Sequence, residues 1–133
     1  MNSKNALHIC LALISIAVLY FSWLPDPNIG FQPYFPLGIG RWINENWNVR
    51  TAIPFVFLAA LAEIGFVQGG AATFRRFAVI VCLLLLVTMA EVGQLFLSKR
   101  HFDPGDILWG FLGSIAGLIA GYLIKPVFKN KVY

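Results

Sequence analysis

The side chains able to do chemistry concentrate in one stretch, residues 91–106, which carries Glu91, Gln94, Arg100, His101, Asp103 and Asp106. Glu91 and Gln94 are three apart, so a helix puts them on one face. A carboxylate inside an apolar run is costly in lipid and marks a functional site by default. Arg100 offers a planar fork suited to carboxylate or phosphate. Asp103 precedes Pro104, the pattern of a helix cap followed by proline at the first helical position, and capping accounts for it. Asp106 then falls at the third helical position, near the positive end of the helix. Steps of four, seven and eleven from Asp106 reach Gly110, Gly113 and Gly117, so Asp106 shares their face. Glu91, Gln94, Arg100 and Asp106 form the candidate ligand-binding set, and His101 reads as a hydrogen-bonding loop residue. No His/Cys motif has metal-ligand spacing, so no metal is expected. Without a nucleophile elbow, phosphate loop or dinucleotide fingerprint, no cofactor is expected either.

The elements that position these residues follow from composition. Of 133 residues, 59% are hydrophobic and 12% charged, against about 25% charged in a soluble domain. So few charges cannot cover a water-soluble surface, and disorder is excluded by the same poverty. The net charge of +4 is scattered without a basic face, which argues against a nucleic-acid partner. Cys10 and Cys82 lie in separate apolar runs and build no disulfide framework. The partner implied is the lipid bilayer.

Four runs approach the ~20 residues a helix needs to cross it: 6–24, 51–67, 77–97 and 107–124. Residues 80–86 do not alternate as a barrel strand does, and backbone in lipid must satisfy itself internally, so the runs are helices. The first is longer than a signal core and ends in Phe21-Ser22-Trp23-Leu24-Pro25, which makes it a retained helix. The expected fold is an all-α membrane protein, a single domain over 1–133 built as a bundle of four transmembrane helices. Pro54 falls in the first turn of the second span, and Glu63 must snorkel or find a partner. Glu91 falls about two turns from the outer end of the third span, roughly 9 Å. Gly113, Gly117 and Gly121 make consecutive Gly-x-x-x-Gly steps that let backbones approach closely. The expected partner of this glycine face is the third span with Glu91, the alternative being a homo-oligomer or another membrane protein.

Orientation rests on Lys and Arg in the short loops. With the N-terminus inside, Lys4, Arg75, Arg76, Lys125, Lys129 and Lys131 are cytoplasmic, while Arg41, Arg50, Lys99 and Arg100 are outside. The bias favours both termini in the cytoplasm, with Trp23 and Trp109 at the outer interface. The basic tail 125–131 then meets the anionic inner leaflet. The outer connection 25–50 is rich in proline, which forbids a helix through Pro36. Residues 37–47 suit a short interfacial helix anchored by Trp42 and Trp47.

The pattern Glu91-x-x-Gln94-x-Phe96, then Arg100-x-x-Asp103-x-x-Asp106, then Gly113 in an apolar helix, resembles the VanZ-like family of small membrane proteins. Ser22-Trp23-Leu24-Pro25 is similar to the end of that family's first helix. The chain departs from the family at Asn46-Trp47-Asn48-Val49-Arg50-Thr51, where Asp-Lys and His are frequent, and at Gly110, where Asn is frequent. The resemblance implies a multi-pass protein of a bacterial-type cytoplasmic membrane acting at the cell envelope, as does the namesake linked to low-level glycopeptide resistance. Three functions are expected in order. The first is binding of an anionic or glycan-bearing ligand, such as a lipid-linked sugar or a lipopeptide, with Arg100 holding the anion. The second is a membrane enzyme using Glu91 or Asp106 as acid or base. The third is a non-catalytic assembly partner docking through Gly113, Gly117 and Gly121.

Overall fold

A computed structural model describes residues 2–129, and these contain helices and short turns with no strand. The helices are α1 (Ser3–Ser22), α2 (Leu37–Glu45), α3 (Trp47–Phe66), α4 (Ala72–Gln94) and α5 (Pro104–Lys129). Four of them, all but α2, are long and apolar enough to cross a membrane. The basic tail expected over 125–131 lies outside the described residues beyond position 129.

Boundaries shift from the expected spans for local reasons. α1 begins after Asn2, whose side chain accepts from Lys4 N, and stops before Pro25. α3 starts one turn earlier than expected, at Trp47, so Pro54 sits in the helix interior and not in its first turn. Its missing N–H leaves the Arg50 carbonyl without its usual i+4 donor. α4 ends at Gln94 because the chain turns there, Leu97 N bonding to Gln94 O at 3.0 Å. Glu91 is therefore within one turn of its helix end, where two turns were expected.

The helices run up and down, so the described start of α1 and end of α5 share one end of the bundle. The other end carries α2 and the 95–103 loop. α3 and α5 form the closest helix pair. A side chain at Gly113 would meet the Ala52 backbone, at Gly117 the Val56 backbone and Ala59, and at Gly121 Ala60 and Glu63. This corrects the expected partner: the three glycines face the second span, not the third. Only Gly110 faces α4, against Val87. The reason is complementary size, since Ala52, Ala59 and Ala60 let the backbone of α3 reach the glycines, whereas the residue of α4 that meets α5 at Gly110 is the branched Val87. Because α3 covers this face, it offers no free surface to another protein.

At the termini end, Glu63 is fully buried. It accepts from Arg76 Nε at 2.9 Å and Nη2 at 2.7 Å, and Lys125 Nζ is 3.7 Å from its Oε1. Lys125 also donates to the carbonyls of Glu63 and Val67. Arg76 lies over the Tyr122 ring at 5.3 Å. One carboxylate thus ties α3, α4 and α5 together, and Glu63 is paired within the bundle. Glu63 is the buried member of the set, while Arg76 and Lys125 keep part of their side chains exposed.

A leucine at Gly117 must push α3 away from α5, an overpacking cost of about 1–3 kcal/mol. Gly117→Leu should therefore lower thermal stability in detergent clearly, and Gly117→Ala less. Equal melting of Gly117→Leu and wild type would mean that the face meets lipid.

Candidate functional site

The α2 end holds the polar cluster. α5 starts as a capped helix: Asp103 Oδ1 accepts from Gly105 N at 2.7 Å, with Pro104 at the first helical position. The same turn directs the Asp103 N–H to Glu91 Oε2 at 3.0 Å. Gln94 Nε2 donates to Glu91 Oε1 at 3.0 Å. Glu91 is 2% exposed and both its oxygens are occupied. Asp106 Oδ1 accepts from Thr51 Oγ1 at 2.8 Å, a bond made available by the α3–α5 register. Glu91 and Asp106 line the same cavity.

Arg100 behaves differently from the expectation. Its Nε donates to Leu24 O at 2.9 Å, and its Nη2 donates to Phe21 O at 3.1 Å and Asp26 O at 3.3 Å. It ties down the Phe21 carbonyl in the last turn of α1, a position that favours a cation, and two carbonyls of the turn that follows. Among the described residues it forms no ion pair with Glu91 or Asp106. Arg100, expected to hold an anion, thus spends its donors on the end of α1 and the turn after it. Burial lowers the Arg100 pKa from its ordinary value, while the charges of Asp26, Glu91 and Asp106 favour its protonated form.

These groups surround a cavity of about 330 Å³, at the lower end of ligand sites, which run roughly 300–1,000 Å³. Its polar lining comprises Ser22, Arg50, Thr51, Glu91, Gln94, Arg100 and Asp106. Its floor is apolar, with Ile14, Val18, Phe55 and Val87. Ile29, Phe35 and Ile43 roof it. That roof is fixed by a close backbone approach of Gly30 to Gly40 and by Asn44 Oδ1 accepting from Gly30 N at 2.9 Å. Four of the candidate residues, Glu91, Gln94, Arg100 and Asp106, thus share one cavity, while Asp103 lies at its edge as a cap and His101 is exposed.

Arg50 was read from sequence only as a topology charge. It lines the cavity within electrostatic range of Asp106 and Arg100. The guanidinium hydrogen bonds among the described residues belong to Arg75, Arg76 and Arg100, so Arg50 has none there. The signal was available: in an up-and-down bundle the second and fourth spans run parallel, which brings their first turns to the same end, here Arg50 and Thr51 beside Asp106. Among the described residues no group of three His, Cys, Asp or Glu side chains is arranged to hold a metal ion. Comparison with protein-family models, curated proteins and solved structures gives no match.

Asp103→Asn should melt like wild type, because Asn caps equally well, while Asp103→Ala should lose about 1 kcal/mol. Glu91→Gln should cost more than Asp103→Asn. It leaves an acceptor lost or an amide opposed to an N–H in a buried place, typically ~1–3 kcal/mol. Thermal denaturation in detergent checks both, and the reverse order would remove Asp103 from the role of cap and Glu91 from its bonds.

Proposed function

We propose that this chain is a VanZ-like cell-envelope protein of a bacterial-type cytoplasmic membrane that binds an anionic, lipid-linked or glycan-bearing ligand in the cavity at the α2 end. The observation that carries this reading is Arg50, a guanidinium lining an apolar-floored cavity without a hydrogen-bond partner among the described residues. A half-buried cation of this kind gains most from an anion with a planar or tetrahedral set of oxygens. Arg50 takes the anion-holding role first expected of Arg100, which holds α1 in place. Asp106, Gln94 and Thr51 line the same cavity and can meet ligand hydroxyls. Binding is favoured over acid–base chemistry because both oxygens of Glu91 are already engaged within the fold.

In this reading both termini are cytoplasmic, the α2 end faces outside, and α2 lies in the outer interface. Leu37 is 89% exposed and Trp42 44% exposed, as suits a short helix resting on lipid with its aromatic ring among headgroups. Cysteine at Asp26 or His101 should then react with an impermeant reagent in intact cells. Reaction only after lysis, with a denatured control reacting fully, would reverse the orientation.

Ligand binding is tested with a polyprenyl phosphate and the corresponding neutral polyprenol, added to purified protein in phosphatidylcholine nanodiscs. The phosphate should raise the melting temperature, the polyprenol should not, and Arg50→Gln should lose about tenfold or more in affinity, the scale of one hydrogen bond to a charged group. Equal stabilisation by both probes, or an unchanged Arg50→Gln, would overturn the anion site.

A further inference from the structure

The contacts of α1 change along its length. Near the termini end it meets α3: Leu7 lies against Gly65, and the His8 and Phe66 rings meet at a tilt of 59° with centres 5.4 Å apart. Near the α2 end it meets α4 and the following loop. There Trp23 Nε1 donates to Ala90 O at 3.1 Å, its indole seated where a side chain at Gly93 would collide, and Arg100 holds the carbonyls of Phe21 and Leu24. α1 therefore leans from α3 at one end toward α4 at the other, and it diverges from α3 where the cavity lies. The walls facing each other across that divergence are Ile14, Ala17, Val18 and Phe21 on α1 and Arg50, Thr51, Pro54 and Phe55 on α3. Ile29, Phe35 and Ile43 cover the cavity above, and the Trp23 and Arg100 bonds close the α1–α4 side.

We propose that the cavity opens sideways into the bilayer between α1 and α3, and that this opening is a trough for the hydrocarbon chain of a single anionic amphiphile whose headgroup reaches Arg50. The proposal rests on the anion-binding reading above and adds the ligand class and its route. Polarity is graded along the trough. Arg50, Thr51 and Asp106 stand at its top, while Val18, Ile14 and Phe55 lie lower. From Phe21 down to Ile14 is seven helical residues, roughly 10 Å, enough to run a chain beside the helix. An occupant of this kind is supplied by the surroundings, since the trough faces the part of the bilayer where lipid chains lie. A ligand lacking the chain would leave the apolar wall unfilled, and one lacking the charge would leave Arg50 unpaired. The Arg100 and Trp23 bonds then have a functional consequence, because they hold α1 away from α3 and keep the trough open.

The test is photo-crosslinking with dodecyl phosphate bearing a diazirine on its terminal carbon, using the full chain in phosphatidylcholine nanodiscs. Neutral dodecanol with the same diazirine is the second probe. The phosphate probe should label α1 around 14–18 and α3 around 54–58. Ala17→Phe, which fills the trough, should reduce labelling by about tenfold, the equivalent of excluding roughly two methylene groups. Leu13→Phe, a similar change on the 61% exposed lipid side of α1, should leave it unchanged. Melting temperatures establish folding, with Ala17→Leu as the milder replacement should Ala17→Phe melt early. If Arg50→Gln abolishes labelling but Ala17→Phe and Ala17→Leu do not, the anion site stands and the trough is overturned. If dodecanol labels the same residues as strongly as the phosphate, the trough stands and the anion reading fails. Labelling spread over Leu13, Ile16 and other lipid-facing positions overturns both.

Discussion

The seating of α3 on the glycine face of α5 is the contact on which the remaining structure depends. Lipid chains are as apolar as the helices, so burial alone does not drive helices together in a bilayer, and close backbone packing must do so. Gly113, Gly117 and Gly121 receive Ala52, Val56, Ala59 and Ala60 in a ladder that leaves little freedom to slide. Sliding by one residue would set side chains of α3 against the glycine steps. Register at this contact therefore fixes which polar groups meet at each end. It brings Thr51 to Asp106 at one end and Glu63 to Lys125 at the other. α4 adds to this pair through Arg76 on Glu63 and through Glu91 on the first backbone N–H of the α5 turn. α1 joins by bonds at its ends and by Leu11, Ile14 and Val18, which pack against the core.

The two ends treat charge differently. Around Glu63 the carboxylate is matched by Arg76 and Lys125, and the lysine is further spent on two carbonyls. That set closes on itself and reads as structural. At the α2 end the carboxylates are also engaged, but Arg50 is left without a hydrogen bond among the described residues beside open volume. A cation in that position is where outside binding energy can enter. Arg100 differs from Arg50 in that its donors are spent on the Phe21 carbonyl in the last turn of α1 and on carbonyls of the turn after it.

Much of this arrangement is legible in the sequence, and the rest fails for identifiable reasons. The four long apolar helices follow from composition and run length. The Asp103-Pro104 pair locates the start of α5 because capping is local chemistry. Glu91, Gln94 and Asp106 share a cavity as their helical positions suggest. The partner of the glycine face was misassigned because spacing shows that a face is small and does not show which helix matches it. The small residues of α3 held that information. The clamp made by Arg100 is not legible, because its acceptors are the backbone carbonyls of Phe21 and Leu24, 79 and 76 residues away in sequence, and carbonyls leave no mark in a residue string. The cavity position of Arg50 is not legible either, because a charge at a span boundary has a ready explanation in topology. The depth of Glu91 depended on where α4 ends, and the turn after Gln94 is set by the loop and not by hydropathy.

The register of α3 against α5 is tested most directly by cysteine cross-linking in the membrane. In a chain with Cys10 and Cys82 changed to alanine and a protease site placed between α3 and α4, the pair Thr51→Cys with Asp106→Cys should oxidise readily. It should hold the two fragments together until reduced, because these side chains meet at 2.8 Å. Thr51→Cys with Trp109→Cys, nearly one turn further along α5, should not. Linkage through position 109 in preference to 106 would contradict the register and, with it, the placing of the cavity.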